Sequence, residues 1–247
     1  MNVFRSFLFL GCLLLGTSVG SEVLEKARGA YANEAYEEVV VLLRPLLGGD
    51  APESEYARQM AASAYQRMGE THFQNGRISS SIECFDEVIA LFPEQGPQHW
   101  QRGISLYYAN RFEDGANQFL SHQTVNPQDV ENAVWHFLCA VRTPDGTLEK
   151  ARNALIPITQ DTRIPMKEIH ALFAGNASVE EVIQAGTEGG DRGQFYKDLY
   201  LGLYYEAIGD EEQCTHHMVQ AATNPTSEHY MGDVARTHLL VRSGTKR

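Results

Sequence analysis

Apolar side chains recur three and four positions apart along most of the chain, the spacing that lays one stripe down a helix. Tyr36, Val39, Val40, Leu43 and Leu47 mark one such face, and Ile78, Ile82 and Phe85 mark another. Breakers separate the stripes. Gly48-Gly49-Asp50-Ala51-Pro52 is the strongest cluster, and Pro144-Asp145-Gly146 and Ala174-Gly175-Asn176 read as turns. The pattern predicts a helical pair within residues 22–47 and helices over 132–141, 147–155, 165–173, 179–185 and 230–241.

Residues 65–127 state one pattern twice. Gly69, Phe85 and Pro93 recur as Gly103, Phe119 and Pro127, each 34 residues further on. Asn75-Gly76 in one copy and Ala109-Asn110-Arg111 in the other break the chain between glycine and phenylalanine. A glycine in the first helix of each copy lets the second helix approach closely. It costs about 1 kcal/mol in helix propensity, which packing must offset. The prolines, lacking an amide hydrogen, end the second helices. One helical pair cannot bury its apolar face alone, so pairs have to stack.

These residues resemble the tetratricopeptide repeat, whose pattern runs aromatic, Leu-Gly, Tyr, small residue, Phe, Ala, Pro. Leu201-Gly202, Tyr205, Gly209-Asp210, Met218, Ala221 and Pro225 form a third copy, with Gly202 lying 99 residues after Gly103, close to three periods. The resemblance implies an all-α fold, a right-handed α-solenoid of about six helical pairs over residues 21–242, whose work is binding other proteins. It also implies that first helices line a concave face on which a peptide lies. Counted in the 34-residue frame, that face carries Gln66, Glu70, Phe73 and Gln74, then Trp100, Ile104, Tyr107 and Tyr108, and the next repeat adds Glu131, Leu138 and Arg142. An aromatic patch with polar neighbours suits the docking of an extended or helical segment. The competing reading is that Trp100 and Tyr107 pack on the adjoining repeat. Repeats of this family that clamp a terminal carboxylate use a lysine and an asparagine where this chain has Gln66 and Glu70, or Trp100 and Ile104, so that subtype is excluded.

Composition narrows the partner. Acidic side chains number 32 against 20 basic ones, a formal net charge of -12, which argues against nucleic acid and against an anionic membrane surface. Residues 1–20 read as a signal peptide. Arg5 gives the positive start, an apolar run from Phe7 follows, and Ser18-Val19-Gly20 supplies small residues for cleavage. Export to a periplasmic or extracellular space is the expectation, with lipidation at Cys12 and an uncleaved anchor as alternatives. Beyond Gly20 no apolar run is long enough to span a bilayer, and residues 243–247 read as a frayed tail. An export signal followed by a short run of degenerate repeats is similar in arrangement to bacterial periplasmic repeat lipoproteins, which hold cell-wall hydrolases near a processing protease.

Chemistry is sparse. Cys84, Cys139 and Cys214 are an odd set without paired spacing and read as buried thiols at helix contacts. His136 with Cys139, and Cys214 with His217 and His216, share helix faces, but two ligands do not make a metal site. Glu37-Glu38, Glu180-Glu181 and Glu211-Glu212 fall at predicted helix starts, where they suit the helix dipole. Ser79-Ser80-Ser81 reads as a helix cap, and Asn176-Ala177-Ser178 matches a glycosylation acceptor. No phosphate loop, zinc-protease helix or nucleophile elbow is present. The reading is therefore a protein-binding adaptor or scaffold without cofactor or metal. The alternative is a metal- or thiol-dependent enzyme built from the central and C-terminal histidines and cysteines.

Overall fold

A computed structural model describes residues 19–243; residues 1–18, which hold most of the expected signal peptide, and the tail beyond Ser243 lie outside the described residues. Helices α1 (Val19–Ala32), α2 (Tyr36–Leu43), α3 (Pro52–Gln74), α4 (Ile78–Leu91), α5 (Trp100–Tyr108), α6 (Phe112–His122) and α7 (Val130–Arg142) come first. They are followed by α8 (Leu148–Asn153), α9 (Met166–Ala174), α10 (Val179–Glu188), α11 (Gly190–Ile208), α12 (Glu211–Thr223) and α13 (Tyr230–Ser243). Short 3-10 turns cover Arg44–Leu46 and Pro93–Gln98, and no strand occurs among the described residues. Neighbours in sequence pack as pairs, as with α1 on α2, α5 on α6, and α11 on α12.

Two compact units divide the chain between Ala61 and Ala62, inside α3. In the first unit Ala27 of α1 and Val39 and Leu43 of α2 are fully buried against one another's helices. Arg58 donates to the carbonyls of Leu47 and Gly49 at 3.1 and 2.7 Å, which fixes the glycine-rich loop.

In the second unit the duplicated pattern has a direct physical cause. A Cβ on Gly69 would lie 2.6 Å from the Phe85 ring, and one on Gly103 would lie 2.7 Å from the Phe119 ring. Gly202 meets Met218 in the same way, at 3.0 Å. In all three hairpins the partner side chain follows its glycine by sixteen positions, and the turn residue follows by seven. Those turn residues, Gly76, Asn110 and Gly209, have φ of 69°, 58° and 84°. Each turn closes with one backbone bond of 2.9 Å, from Arg77 to His72, Arg111 to Leu106 and Asp210 to Tyr205. Glycine is thus demanded by a side chain filling its space, while the turn needs a left-handed residue, which Asn tolerates.

The seam between successive hairpins also repeats. Ser81 Oγ lies 3.0 Å from Ser105 Oγ, a Cβ on Gly115 would lie 2.8 Å from Cys139 Sγ, and Cys214 Sγ lies 3.4 Å from His238 Nε2. Each pair is twenty-four residues apart. Ser81 is therefore a seam residue and not the expected cap; α4 starts at Ile78 with Arg77 at its N-cap and no side-chain cap bond. Real caps occur at Asp129, Thr147, Ser178 and Asp210, with Ser178 and Glu181 completing a capping box on α10. The paired glutamates do open α2, α10 and α12.

A matched pair of glycine substitutions tests this account. Gly103→Ala should destabilise the second unit by about 1 kcal/mol, because overpacking against Phe119 at about 1–3 kcal/mol outweighs the propensity gain of about 1. Gly29→Ala in α1, where a Cβ would meet nothing within 4 Å, should stabilise the first unit by up to about 1 kcal/mol. Thermal unfolding of the two variants should move in opposite directions.

Candidate functional site

The expected inner face exists as a cluster, but the chain itself covers much of it. Phe73, Ile104, Tyr107 and Tyr108 are buried. Tyr230, at the start of α13, stacks on Phe73 with centroids 5.3 Å apart and meets the edge of Trp100 at 5.1 Å. Thr237 donates to the Phe73 carbonyl at 3.1 Å, and Gln74 donates to Asp233 at 2.9 Å. Tyr108 OH lies 3.1 Å from His238 Nδ1. Gln66 is turned to Glu70 on its own helix at 2.9 Å. Arg142 reaches the Glu206 carboxylate at 3.1 Å. So Tyr107 and Tyr108 pack inside the unit and present no surface to a second chain. The physical reason is that α13 buries its own side chains against these aromatic residues.

What stays open is a cavity of about 340 Å³ beside Trp100. Its aromatic walls are Trp100, Phe119, Trp135, Tyr196 and Tyr230. Its polar lining is Asn126, Asp129, Glu131, Asn132, His122 and His229, with Met231 completing the wall. Of the groove residues read from the sequence, Trp100 alone lines it, together with Glu131 from the following repeat.

Helix α7 supplies the polar wall. Asp129 caps the helix by accepting from Glu131 N at 3.1 Å, and this aims the first turn at the cavity. Arg163, from the segment between α8 and α9, bridges three carboxylates: Glu131 at 2.5 Å and Asp129 and Asp161 at 2.6 Å each. Tyr200 of α11 donates to Glu131 Oε2 at 2.7 Å. Burial and the neighbouring Asp129 push the Glu131 carboxyl above its ordinary value, although Arg163 and Tyr200 pull the other way. Tyr200 is raised by burial and by Glu131, so it keeps its proton and stays a donor.

Two groups at this wall are left without partners. Asn132 is 3% exposed and Trp135 is 1% exposed, and neither Asn132 Oδ1 nor Trp135 Nε1 has a hydrogen-bond partner. The asparagine's orientation follows from its neighbours. Gln123 Nε2 is 2.8 Å from the Pro127 carbonyl, which can only accept, so Gln123 Oε1 is the acceptor for Asn132 Nδ2 at 3.1 Å. Asn132 Oδ1 is therefore the unpaired atom. Buried polar groups without partners are uncommon and mark places where something else supplies the bond.

The candidate metal and thiol residues are placed differently. Cys84, Cys139 and Cys214 are buried and none is in a disulfide among the described residues. Burial pushes Cys139 up strongly and Cys214 up to about 12, so both keep their protons near neutral pH. His217 Nδ1 lies 2.8 Å from Asp198 Oδ1, and its ring stacks on Tyr205. Among the described residues no three His, Cys, Asp or Glu side chains converge as a metal-binding group, and no helix is long and apolar enough to cross a membrane.

Sequence reasoning missed Asn132, Trp135, Tyr196 and Tyr230. A usable signal was available in the two tryptophans, Trp100 and Trp135, which lie thirty-five residues apart, one period plus one. No protein-family model matches the chain.

Proposed function

We propose that the chain is an exported adaptor, a right-handed α-solenoid of tetratricopeptide-like hairpins, that holds a partner protein by one anchoring side chain seated in the Trp100–Trp135 cavity. The observation that carries this reading is the cavity itself: a concave, aromatic-walled space of about 340 Å³ with unpaired polar groups buried at its edge. Such sites are built to take a ligand, and aromatic pockets are where interface energy concentrates. The net charge of -12 favours a basic or neutral partner over an anionic one. A scaffold role in a cell envelope follows if the residues before Gly20 act as an export signal.

The reading is tested by capture from the compartment to which the protein is exported, using a variant that fills the cavity from its exposed rim. Asn126 lines the cavity and is exposed, so Asn126→Trp adds bulk there without cutting into the core. Capture should fall about tenfold, the loss of one anchoring contact, while helicity by circular dichroism stays as in the wild type. Asn117→Trp, on the exposed side of α6, is the control. Equal capture by both variants would defeat the proposal.

A further inference from the structure

We infer that the occupant of the Trp100–Trp135 cavity is a hydrogen-bearing organic cation, a primary ammonium or guanidinium group such as ends a lysine or arginine side chain. This rests on the adaptor reading for the cavity's role and adds the chemistry of what enters it. Internal pairing leaves some hydrogen-bonding capacity over at the cavity. His122 Nδ1 lies 2.9 Å from the Pro97 carbonyl, so Nδ1 carries a hydrogen that is already used. Asn132 Oδ1 is an acceptor with no partner. Trp135 Nε1, a donor, and the Tyr230 hydroxyl, which can donate or accept, are also without partners at the cavity. The acceptor excess at the cavity comes from the Asp129 and Glu131 carboxylates beside Asn132 Oδ1, and it suits a ligand that brings hydrogens.

Charge points the same way. Asp129, Glu131 and Asp161 share the one guanidinium of Arg163, three carboxylates to one cation, and two to one even with Glu131 protonated. The roughly half positive charge at the N-terminus of α7 does not balance that excess. Arg192 lies 5.8 Å from the Tyr196 ring, but it is exposed and covers only that one aromatic wall. The rest of the aromatic lining, Trp100, Phe119, Trp135 and Tyr230, carries no neighbouring cation among the described residues, and aromatic rings attract a cation wherever a ring face is reached. An anionic ligand would meet the carboxylates of Asp129 and Glu131 at the polar wall.

The chain's two tryptophans both line the cavity, so their emission reports its occupancy directly. The full-length protein is titrated with Nα-acetyl-lysine amide and Nα-acetyl-arginine amide. The comparison probes are Nα,Nε-diacetyl-lysine amide, which keeps the length and loses the charge, and Nα-acetyl-glutamate amide. The cationic probes should change the emission saturably, the diacetyl probe should bind at least about tenfold more weakly, and the glutamate probe should give no response. Asp129→Asn keeps an N-cap residue on α7 and should weaken cation binding about tenfold. Butylammonium and agmatine form a second arm: tighter binding of the amino-acid amides assigns a protein-borne side chain, and equal binding assigns a free amine. No saturable response to any cation, or equal affinity for the diacetyl probe, would overturn the inference. The two proposals fail separately. If Asn126→Trp abolishes partner capture while cations do not bind, the adaptor stands and the cation falls. If cations bind and Asn126→Trp leaves capture unchanged, the cation stands and the adaptor falls.

Discussion

Replacing Glu206 by alanine should lower the unfolding free energy of the second unit by about 3–5 kcal/mol, the loss expected when one member of a buried charge network is removed. Glu206 sits on α11 with its side chain 10% exposed, and it joins four helices. Its Oε2 accepts from Tyr107 OH of α5 at 2.6 Å. Its Oε1 accepts from Arg242 Nε of α13 at 2.9 Å and pairs with Arg142 Nη2 of α7 at 3.1 Å. His238 Nδ1 is 4.0 Å from Oε2. Both guanidiniums also lie over the Tyr107 ring, 5.7 Å from its centroid. Burial alone would raise this carboxyl, yet the charged neighbours hold it below the ordinary carboxylate value, so the network favours the ion. Alanine leaves two cations facing each other across an apolar gap and a buried phenol without an acceptor. Glu206→Gln keeps the shape and one acceptor, so it should lose about half as much. Urea denaturation followed by tryptophan emission measures the difference, since both tryptophans lie in this unit. A change of less than about 1 kcal/mol for the alanine variant would assign the network to the surface class of ion pairs.

The helices were readable from the sequence because their causes are local. Gly69 with Phe85, and Gly103 with Phe119, are held to one spacing by direct contact within a single hairpin. A ring that needs the space of a missing Cβ leaves a mark no drift can blur. The turns at Gly76 and Asn110 were legible for the same reason. The predicted helices at 132–141 and 165–173 correspond to α7 and α9, where apolar periodicity is strong.

The site was not readable in this way. Its walls come from Trp100, Trp135, Tyr196 and Tyr230, which span more than a hundred residues and meet only when α13 folds back beside α3 and α5. Periodicity gives the buried stripe of α13, but it does not say which aromatic surface that stripe covers. Serine shows the same limit. Ser79-Ser80-Ser81 has the composition of a cap, and the seam contact with Ser105, twenty-four residues away, decides its role instead. Arg163 belongs to neither local pattern. Its value lies in three carboxylates, Asp129 and Glu131 at the start of α7 and Asp161 two residues before the arginine itself.

Acid should unfold the second unit well before its carboxylates are all protonated. Burial holds His238 and His99 at about 4, against an ordinary value of 6.5. Around His238 stand Tyr108, Cys214, Glu206, Arg142 and Arg242; the glutamate opposes the shift and the arginines reinforce it. Around His99 stand the Phe85 ring, Arg102 and Asp86, where the arginine lowers and the aspartate raises. The sign is fixed by proton counts. Above 6.5 both states are neutral and the histidines contribute no pH dependence. As pH falls through 6.5 the unfolded chain takes up a proton at each histidine while the folded chain does not, so stability drops until the folded value near 4 is reached. From pH 7 to pH 5 each histidine should remove about 2 kcal/mol at most. The depressed Glu206 adds a further loss at the acid end, as pH falls through its folded value. The raised Glu131 works in the opposite sense, because the folded state gains stability as that carboxyl takes its proton. Two depressed histidines act against one raised glutamate, so the net slope between 6.5 and 5 is downward. Urea midpoints measured across that range should fall steeply in the wild type. His238→Gln retains hydrogen-bonding capacity without titrating, and should flatten the slope by up to about 1.4 kcal/mol per pH unit, the contribution of one proton. An unchanged slope in that variant would mean that His238 takes up its proton equally in both states, contrary to its burial between Tyr108 and Cys214.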